Sequence, residues 1–479
     1  MSASGSHSDL LASDLVERIS APVLAVGSRA WVVGGAVRDA FLGSPVTDID
    51  LAVEGSPEPV ARAVADALDG VAFELSDEFA TWRAADRDGE WQVDVAALRA
   101  DGIEQDLRLR DFTVGSIAVA LEDGQLVDPL DGRGDLDRGL LRASGPTSLL
   151  DDPLRTMRAA RLSAQFGWAV EPSTLDLAKE AAPGLPGVAG ERVLAEFLLL
   201  IGSRDPLKGI EAMELVGAMD QVLPEVGAMR DVTQGPNHHL DVHGHTLEVL
   251  EGVLRIESDL EAFTGALAPE TSAMLAEPLA DGVDRAVGLR LGALFHDCAK
   301  PETRTETDGF IGFRGHDAVG AEKVGKIFGR LRSSRALSRH VADLTRYHLI
   351  LGFMVHEMPL DRRRIYRYLR DTSPVAVDVT LLTVADRLAA RGAGPVASAE
   401  MVEAHLELAR TMVEAGLAWH ADGPPEVPLP GDVLASELGI QPGPELGRVI
   451  EELREDVYAG DVKSAKDAVE RGRQHLDTD

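Results

Sequence analysis

Two short stretches decide the fold of this chain: WVVGGAVRD at residues 31–39 and TDIDL at residues 47–51. The first stretch predicts a strand, a tight turn at Gly34 and Gly35, and a helix that carries Arg38. Glycines let backbone amides approach an anion closely, and the N-terminus of a helix favours negative charge. The first stretch therefore predicts a turn that binds phosphate, with Arg38 adding positive charge.

The second stretch predicts a strand with two carboxylates on one face. Asp48 and Asp50 are two residues apart, and side chains with this spacing project from the same side of a strand. A pair of carboxylates suits Mg²⁺, and two such ions can activate an attacking hydroxyl and hold a triphosphate. We therefore expect Asp48 and Asp50 to be catalytic and to bind Mg²⁺. Asp94, on a strand predicted at residues 91–95, is the candidate for a third carboxylate.

Together, these patterns resemble the signature of the class II tRNA nucleotidyltransferase and bacterial poly(A) polymerase family. Further segments resemble later motifs of the family in the same order: RDFTV at 110–114, DPLDG at 128–132, DDPLR at 151–155, GER at 190–192 and a tail segment within 431–447. The resemblance implies a template-independent reaction, in which a tRNA 3′-hydroxyl attacks the α-phosphate of CTP or ATP. The nucleotide-binding residues that it implies are Gly34, Gly35, Arg38, Arg110, Asp111, Asp152, Arg155, Arg158 and Arg161.

Asp152 and Arg155 are the residues that we expect to choose the base. They are three residues apart at the start of a predicted helix, so they would be neighbours on one helical face. A carboxylate accepts a hydrogen bond from the exocyclic amine of cytosine or adenine, and a guanidinium donates to the adjacent ring acceptor. In the family that the chain resembles, such a pair replaces a nucleic-acid template. By itself, Asp-Pro at residues 152–153 also suits the beginning of a helix.

Histidines and aspartates in the middle of the chain indicate a second metal site, because imidazole and carboxylate groups bind divalent cations. Their order resembles the HD phosphohydrolase superfamily. The resemblance implies four ligands for a divalent metal (Mg, Mn, Ni or Co): His245, His296, Asp297 and Asp386. His316 and His348 would extend the site to two metals. In related fused proteins such a module is linked to phosphodiesterase or phosphatase activity.

The overall charge opposes a nucleic-acid partner unless basic residues are clustered. The 479-residue chain has 47 basic and 80 acidic residues and a net charge of −33, which repels a phosphate backbone at long range. Residues 361–370, DRRRIYRYLR, interleave arginine with tyrosine, and such a segment can bind phosphates and stack a base. We expect a contact with tRNA there, with a solvated helix face as the alternative.

The sequence predicts a cytoplasmic protein. Its single cysteine, Cys298, excludes a disulfide within the chain and is typical of a reducing compartment. Residues 1–8 show no basic region followed by an apolar stretch, and no apolar run reaches the roughly 18 residues that a membrane span needs. We therefore expect no membrane partner. The sequence leaves the oligomeric state open.

Patterning along the chain predicts an α+β head followed by helical parts, because strand signals fade after Gly145. The resemblance implies that the head is of the DNA polymerase β type. We expect four parts: the head at residues 1–145, an all-α neck for nucleotide selection and RNA binding at 146–235, an HD-type helical metal-binding domain at 236–395, and a helical tail at 396–479.

Departures from the family pattern leave alternatives open. Leu109 and Gly115 stand where the second motif usually has arginine and asparagine, and the selector begins with Asp151 instead of glutamate. The stretch between Asp94 and Arg110 is short, and loss of a flexible loop between the first two motifs is associated with enzymes that add only two C residues. The alternatives are a CC-adding enzyme, a poly(A) polymerase of the same family, or an HD phosphohydrolase with a degenerate nucleotide-binding head.

Overall fold

The structure is a computed structural model that describes residues 6–46, 48–76, 81–87, 89 and 91–477. The chain divides into two compact units, Met1–Val222 and Leu223–Asp479. The polar N-terminal segment begins with residues 1–5, which lie outside the described residues, as does Thr47 of the second stretch. The finer division into four parts stays a prediction.

A mixed sheet forms the centre of the first unit. Its strands are β1 (Ala30–Val33), β2 (Asp48–Val53), β3 (Val71–Ser76), β4 (Thr81–Ala85), β5 (Gln92–Ala97), β6 (Ala118–Ala120) and β7 (Leu126–Val127). Among the described residues their order is β3-β4-β5-β2-β1-β6-β7. Strand β2 runs parallel to β5, and the other neighbours are antiparallel. A separate parallel pair follows, β8 (Leu140–Leu141) and β9 (Ala169–Val170).

Sequence patterning located β1, β2 and β5 but did not find the β3–β4 hairpin. The reason lies at the edge of the sheet. Val71, Phe73 and Leu75 of β3 are 40–45% exposed, so the apolar residues of this strand do not face a core. Such a strand carries a weak burial signal in its sequence.

Helices cover both faces of the sheet. The helices of the first unit are α1 (His7–Leu11), α2 (Asp14–Ala25), α3 (Gly35–Phe41), α4 (Pro57–Leu68), α5 (Ile103–Arg108), α6 (Gly132–Arg138), α7 (Ser148–Asp151), α8 (Leu154–Phe166), α9 (Pro172–Ala181), α10 (Gly190–Ile201), α11 (Pro206–Leu215) and α12 (Ala218–Val222). Helix α4 packs against β3, β4 and β5. On the other side, Ile103 and Leu107 of α5 pack on Trp31, Val33 and Ala52. This side also carries Asp50, because Val33 lies opposite Asp50 in the register.

The second unit is mainly helical. Its helices are α13 (Pro224–Gly227), α14 (Val242–Ser258), α15 (Leu260–Thr264), α16 (Ala268–Leu275), α17 (Arg285–Phe295), α18 (Lys300–Thr303), α19 (His316–Arg330), α20 (Arg335–Tyr347), α21 (Ile350–Met354), α22 (Arg362–Thr372), α23 (Ala376–Ala389), α24 (Ala399–Asp422), α25 (Gly431–Leu438), α26 (Pro444–Ala459) and α27 (Ala465–Leu476). Two short hairpins, β10–β11 (Pro278–Ala280, Val283–Asp284) and β12–β13 (Thr305–Thr307, Phe310–Gly312), interrupt it. Helix α14 packs against α17 and α23, and α19 packs against α20.

The arginine-rich segment at residues 361–370 packs against the C-terminal helix α26. Its arginines are paired: Arg363 donates to Glu455 and Asp456 of α26, and Arg367 donates to Glu455. Tyr366 and Tyr368 are completely buried. The expectation that a base stacks on these tyrosines is therefore wrong, because their rings form part of the core. Among the described residues, no helix is both long and apolar enough to cross a membrane.

Candidate functional site

The turn between β1 and α3 brings the backbone close to two side chains of the first unit. Gly34 has a φ of 72°, in the left-handed region that favours glycine. A Cβ at this position would lie 3.2 Å from Nη1 of Arg110 and 3.2 Å from Oδ2 of Asp50. Any larger residue would therefore be both strained and crowded. Gly35 begins α3 directly after this turn.

The carboxylates form a like-charge cluster beside the turn. Asp48 and Asp50 project from one face of β2, on either side of the buried Ile49, and Asp50 is opposite Asp94 of β5. Burial raises the pKa of Asp50; the charges of Asp94 and Asp48 add to the rise, and Arg110 opposes it. Asp94 also accepts hydrogen bonds from Nε and Nη2 of Arg83 at 2.7 and 2.8 Å. Oxygen ligands with this net negative charge fit a divalent cation such as Mg²⁺.

A pocket of about 390 Å³ opens over these groups. The predicted residues that line it are Asp50, Asp94, Arg110, Asp111, Asp152, Arg155 and Arg158; Asp48, Gly34 and Gly35 lie outside its lining. Arg38 and Arg161 do not line it. Arg38 donates to Asp39 at 2.7 Å and lies over the ring of Phe166 at 4.8 Å, while Arg161 donates to Glu196 at 2.6 Å. In this arrangement the two arginines stabilise the surroundings of the pocket.

An ion-pair network fixes one wall of the pocket. Nε of Arg158 donates to Asp111 at 2.7 Å, and its Nη1 donates to Glu196 of α10 at 3.0 Å. Burial acts to raise the pKa of Asp111, but the Arg158 guanidinium outweighs it and lowers this pKa to about 2. Sequence reasoning missed Glu196. Its signal was a single carboxylate within the apolar run VLAEFLLLI of α10, since a buried charge there requires a partner.

The two expected base-selecting residues share the pocket but have different partners. Asp152 accepts from the backbone N–H of Leu154 at 3.2 Å and from Arg192 at 2.9 Å. Arg155 donates to the backbone oxygens of Leu109 and Ser148 at 3.0 and 2.9 Å. The cation that pairs with Asp152 is therefore Arg192. In the sequence, Arg192 was recognised only as part of the GER motif and was given no role.

Both unusual positions of the second motif lie next to residues of the site. Leu109 is 47% exposed, and its carbonyl oxygen accepts from Arg155. At Gly115, a Cβ would lie 3.3 Å from Oδ1 of Asp111. Neither departure disturbs the ion pair between Asp111 and Arg158.

A second cluster lies inside the helices of the second unit. The predicted metal ligands come from α14, from the segment after α17 and from α23, and they meet His316 at the start of α19 and His348 after α20. Their ligand atoms form two groups, each within 4.8 Å: His245, His296 and Asp386; and Asp297, His316 and His348. Three of the four predicted ligands therefore form the first group. The fourth, Asp297, belongs to the second group together with His316 and His348.

The buried polar atoms of this cluster fit a metal centre. Both carboxylate oxygens of Asp297 and Nε2 of His296 are buried and form no well-directed hydrogen bond among the described residues, although Nζ of Lys300 and Nε2 of His296 and His316 lie within 3.2 Å of those oxygens. Burial acts to raise the pKa of Asp297, but His296 and Lys300, whose Nζ lies 2.6 Å away, hold it well below its ordinary value. Burial lowers the pKa of His348 to about 3, so this imidazole is neutral at pH 7. An ionised carboxylate and neutral imidazoles are the forms that bind divalent metals.

Comparison with known proteins identifies a domain family for most of the chain. The model of the poly A polymerase head domain matches residues 30–103 and 76–142, that of the probable RNA and SrmB-binding site of polymerase A matches 167–229, and that of the HD domain matches 242–391. The chain is 35% identical to the A-adding tRNA nucleotidyltransferase of Deinococcus radiodurans, over 92% of this chain and 94% of that protein. It is 31% identical to the CC-adding tRNA nucleotidyltransferase of Thermus thermophilus, over 92% of each.

Solved structures show the same fold. A CCA-adding enzyme in an apo form aligns over 98% of both chains with a TM-score of 0.65 and 22% identity. The Thermotoga maritima CCA-adding enzyme complexed with tRNA aligns over 98% of both chains with a TM-score of 0.60 and 22% identity. The predicted fold class, an α+β head followed by helical domains that include an HD domain, is confirmed. The chain belongs to the tRNA nucleotidyltransferase and poly(A) polymerase family.

Proposed function

We propose that this protein extends the 3′ end of tRNA in the cytoplasm, taking CTP or ATP as substrate and using no nucleic-acid template. One observation carries the proposal: a single pocket contains Asp50, the arginines Arg110 and Arg158, and the pair Asp152 and Arg155. The relatives that match along nearly the whole chain are named for adding A or CC to tRNA. Their names support tRNA as the acceptor.

In the proposed reaction, the tRNA 3′-hydroxyl attacks the α-phosphate and pyrophosphate leaves. Asp48 and Asp50 would hold Mg²⁺, which when bound supplies charge neutralisation at the reacting phosphate. Arg110 and Arg158 face the pocket and would bind triphosphate oxygens, because guanidinium groups bind phosphate through charge-assisted hydrogen bonds. The backbone at Gly34 would approach the same triphosphate.

A gel assay tests the function directly. The substrates are tRNAs that end before CCA, after C and after CC, each supplied with CTP, ATP or both in the presence of Mg²⁺. Addition of C, C and A would establish full CCA addition, whereas a stop after CC or extension only of the CC end would assign a CC-adding or an A-adding enzyme. Long A tails would show the poly(A) polymerase alternative. No extension of any end would reject the proposed function and favour the alternative of a phosphohydrolase with a degenerate head.

Replacement of Asp152 tests the selection of the base. We expect Asp152→Asn to lower the preference for CTP and ATP over UTP and GTP by roughly 10- to 100-fold, because an amide can donate to the carbonyl that these rejected bases carry where cytosine and adenine carry an amine. Steady-state kcat/KM for the four nucleotides measures this preference. Asp176→Asn is the matched control, since Asp176 of α9 is exposed and outside the pocket. An unchanged preference in Asp152→Asn would remove this residue from base selection.

The second unit supports a further candidate function, metal-dependent hydrolysis of a phosphoester. Two groups of ligands, His245–His296–Asp386 and Asp297–His316–His348, are its basis. Because they combine imidazole with carboxylate, they would accept Mn²⁺, Ni²⁺, Co²⁺ or Mg²⁺. Hydrolysis of bis(p-nitrophenyl) phosphate by the metal-loaded chain tests this activity separately from nucleotide transfer.

A further inference from the structure

Two arginines are buried among the described residues, and only one of them has a carboxylate partner. Arg285 pairs with the buried Asp378. Arg387 is 8% exposed and donates from Nη1 to the carbonyl oxygen of Val396 at 3.1 Å. Within the described part of the chain, no carboxylate reaches salt-bridge distance of its guanidinium. The preceding residue, Asp386, is directed instead to Nε2 of His245 at 2.9 Å.

The guanidinium of Arg387 lies in a cavity of about 310 Å³ beside the metal-ligand cluster. Two of the ligands, His348 and Asp386, line the same cavity. Nη2 of Arg387 points toward Gly352, where a Cβ would lie 3.4 Å from it. Because residue 352 is glycine, the space in front of Nη2 stays open.

His405 adds a second polar group to the lining of this cavity. It is 1% exposed, and its Nε2 lies 3.1 Å from Oγ1 of Thr383. Its Nδ1 is buried and has no hydrogen-bond partner among the described residues. Burial lowers the pKa of His405 to about 4, and the charge of Arg387 adds to this. The ring is therefore neutral at pH 7 and can form a hydrogen bond with a ligand in either tautomer.

A buried guanidinium without a paired carboxylate is unfavourable, and such a group in a native protein requires an explanation, of which a bound anionic ligand is one. Its planar fork matches the oxygens of a phosphoryl group. We propose that Arg387, with His405 beside it, forms a subsite for a phosphoryl oxyanion next to the metal ligands. A phosphoester at the metal cluster would place its non-bridging oxygens on this arginine. The inference rests on the proposed metal-dependent role of the second unit and names the groups that hold its substrate.

Calorimetric titration with inorganic phosphate tests this subsite. The full chain is loaded with Mn²⁺ and carries Asp48→Asn and Asp50→Asn, so that these carboxylates of the head hold no Mn²⁺. Phosphate bound by the arginines of the head is then the same in every variant and cancels in the comparison. We expect Arg387→Gln to weaken phosphate binding at least tenfold while the bound Mn²⁺, measured by elemental analysis, stays constant. The phosphate affinity of Arg387→Lys should lie between that of the starting protein and that of Arg387→Gln, because lysine keeps the charge but lacks the bidentate fork.

The matched control is Arg391→Gln, since Arg391 is an exposed arginine just after the same helix and lies outside this cavity. Phosphate binding unaffected by Arg387→Gln, or no binding by the starting protein, would overturn the proposal. Loss of Mn²⁺ from both Arg387 variants would also overturn it, because the residue would then only support the ligands. Phosphate binding without hydrolysis of bis(p-nitrophenyl) phosphate would support the subsite and reject only the hydrolytic function.

Discussion

Asp50→Asn should abolish nucleotide transfer and leave the protein at least as stable as before. The carboxylate would lose its place as a metal ligand, and metal neutralisation contributes several kcal/mol to such reactions. At 1.36 kcal/mol per tenfold change in rate, we expect a loss of roughly 10³-fold or more in the rate of CMP or AMP incorporation. Initial rates on a tRNA acceptor, with CTP or ATP saturating, measure it.

The expected gain in stability follows from the charges around Asp50. Its pKa is raised in the folded state, with burial as the main cause and Asp94 and Asp48 adding to it. A carboxyl group with a raised folded pKa binds its proton more tightly in the folded state, so its ionisation destabilises the fold at neutral pH. Asparagine removes that charge, and the melting temperature in the absence of metal should stay the same or rise.

Asp137→Asn is the matched control for this experiment. Asp137 is an exposed aspartate of α6 in the same unit, outside the pocket. It should change neither the rate nor the melting temperature. If Asp50→Asn kept more than about a tenth of the activity, which corresponds to less than 1.4 kcal/mol, Asp50 would not be a metal ligand of the reaction.

The second large effect is expected at Asp297. Asp297→Asn should destabilise the second unit by about 3–5 kcal/mol, because it leaves the buried Lys300, 2.6 Å from the carboxylate, without its counter-charge. Its folded pKa lies well below the ordinary value, so this stabilisation is present above the unfolded pKa and is lost as the pH falls through the folded pKa. At neutral pH the variant should therefore show the full effect, a fall of about 10 °C in melting temperature.

The same variant should bind less metal. The oxygens of Asp297 lie 3.2 Å from Nε2 of both His296 and His316, which belong to different ligand groups. We therefore expect a loss of Mn²⁺ from both groups, measured by elemental analysis after dialysis. Asp317→Asn is the control, because its ion pair with Arg346 is partly exposed, and such pairs contribute about 0–1 kcal/mol. A variant of Asp297 that retained both metal and melting temperature would contradict the two-group centre.

The net charge of −33 conceals a local concentration of arginine at the first site. The arginines that line the pocket are Arg99, Arg110, Arg155, Arg158 and Arg192. Aspartates also line the pocket. Because both signs of charge are present, the pocket can bind a triphosphate together with divalent cations. The positive charge expected at residues 361–370 is neutralised by acidic residues instead. The arginines of the pocket are therefore the better candidates for contacts with phosphate.

The sequence by itself determined the features that depend on short spacing. The β1–turn–α3 unit, the common face of Asp48 and Asp50, and the helix at Leu154–Phe166 follow from local periodicity and from glycine conformation. The order of the motifs along the chain was sufficient to recognise the family. These inferences hold because each rests on neighbouring residues, whose relative positions regular secondary structure fixes.

Tertiary structure decided which charged side chains contact each other. Arg38 belongs to the first motif, but its guanidinium packs on the ring of Phe166 and does not line the pocket. The arginine that pairs with Asp152 is Arg192 and not Arg155. Asp94 is held by Arg83 of the neighbouring strand β4, which the sequence did not reveal. Which charge meets which, and which buried arginine stays without a carboxylate, depends on segments that are distant in sequence and are brought together by packing. Burial then determines the protonation of each group, because desolvation and the nearest charge act only after the fold has formed.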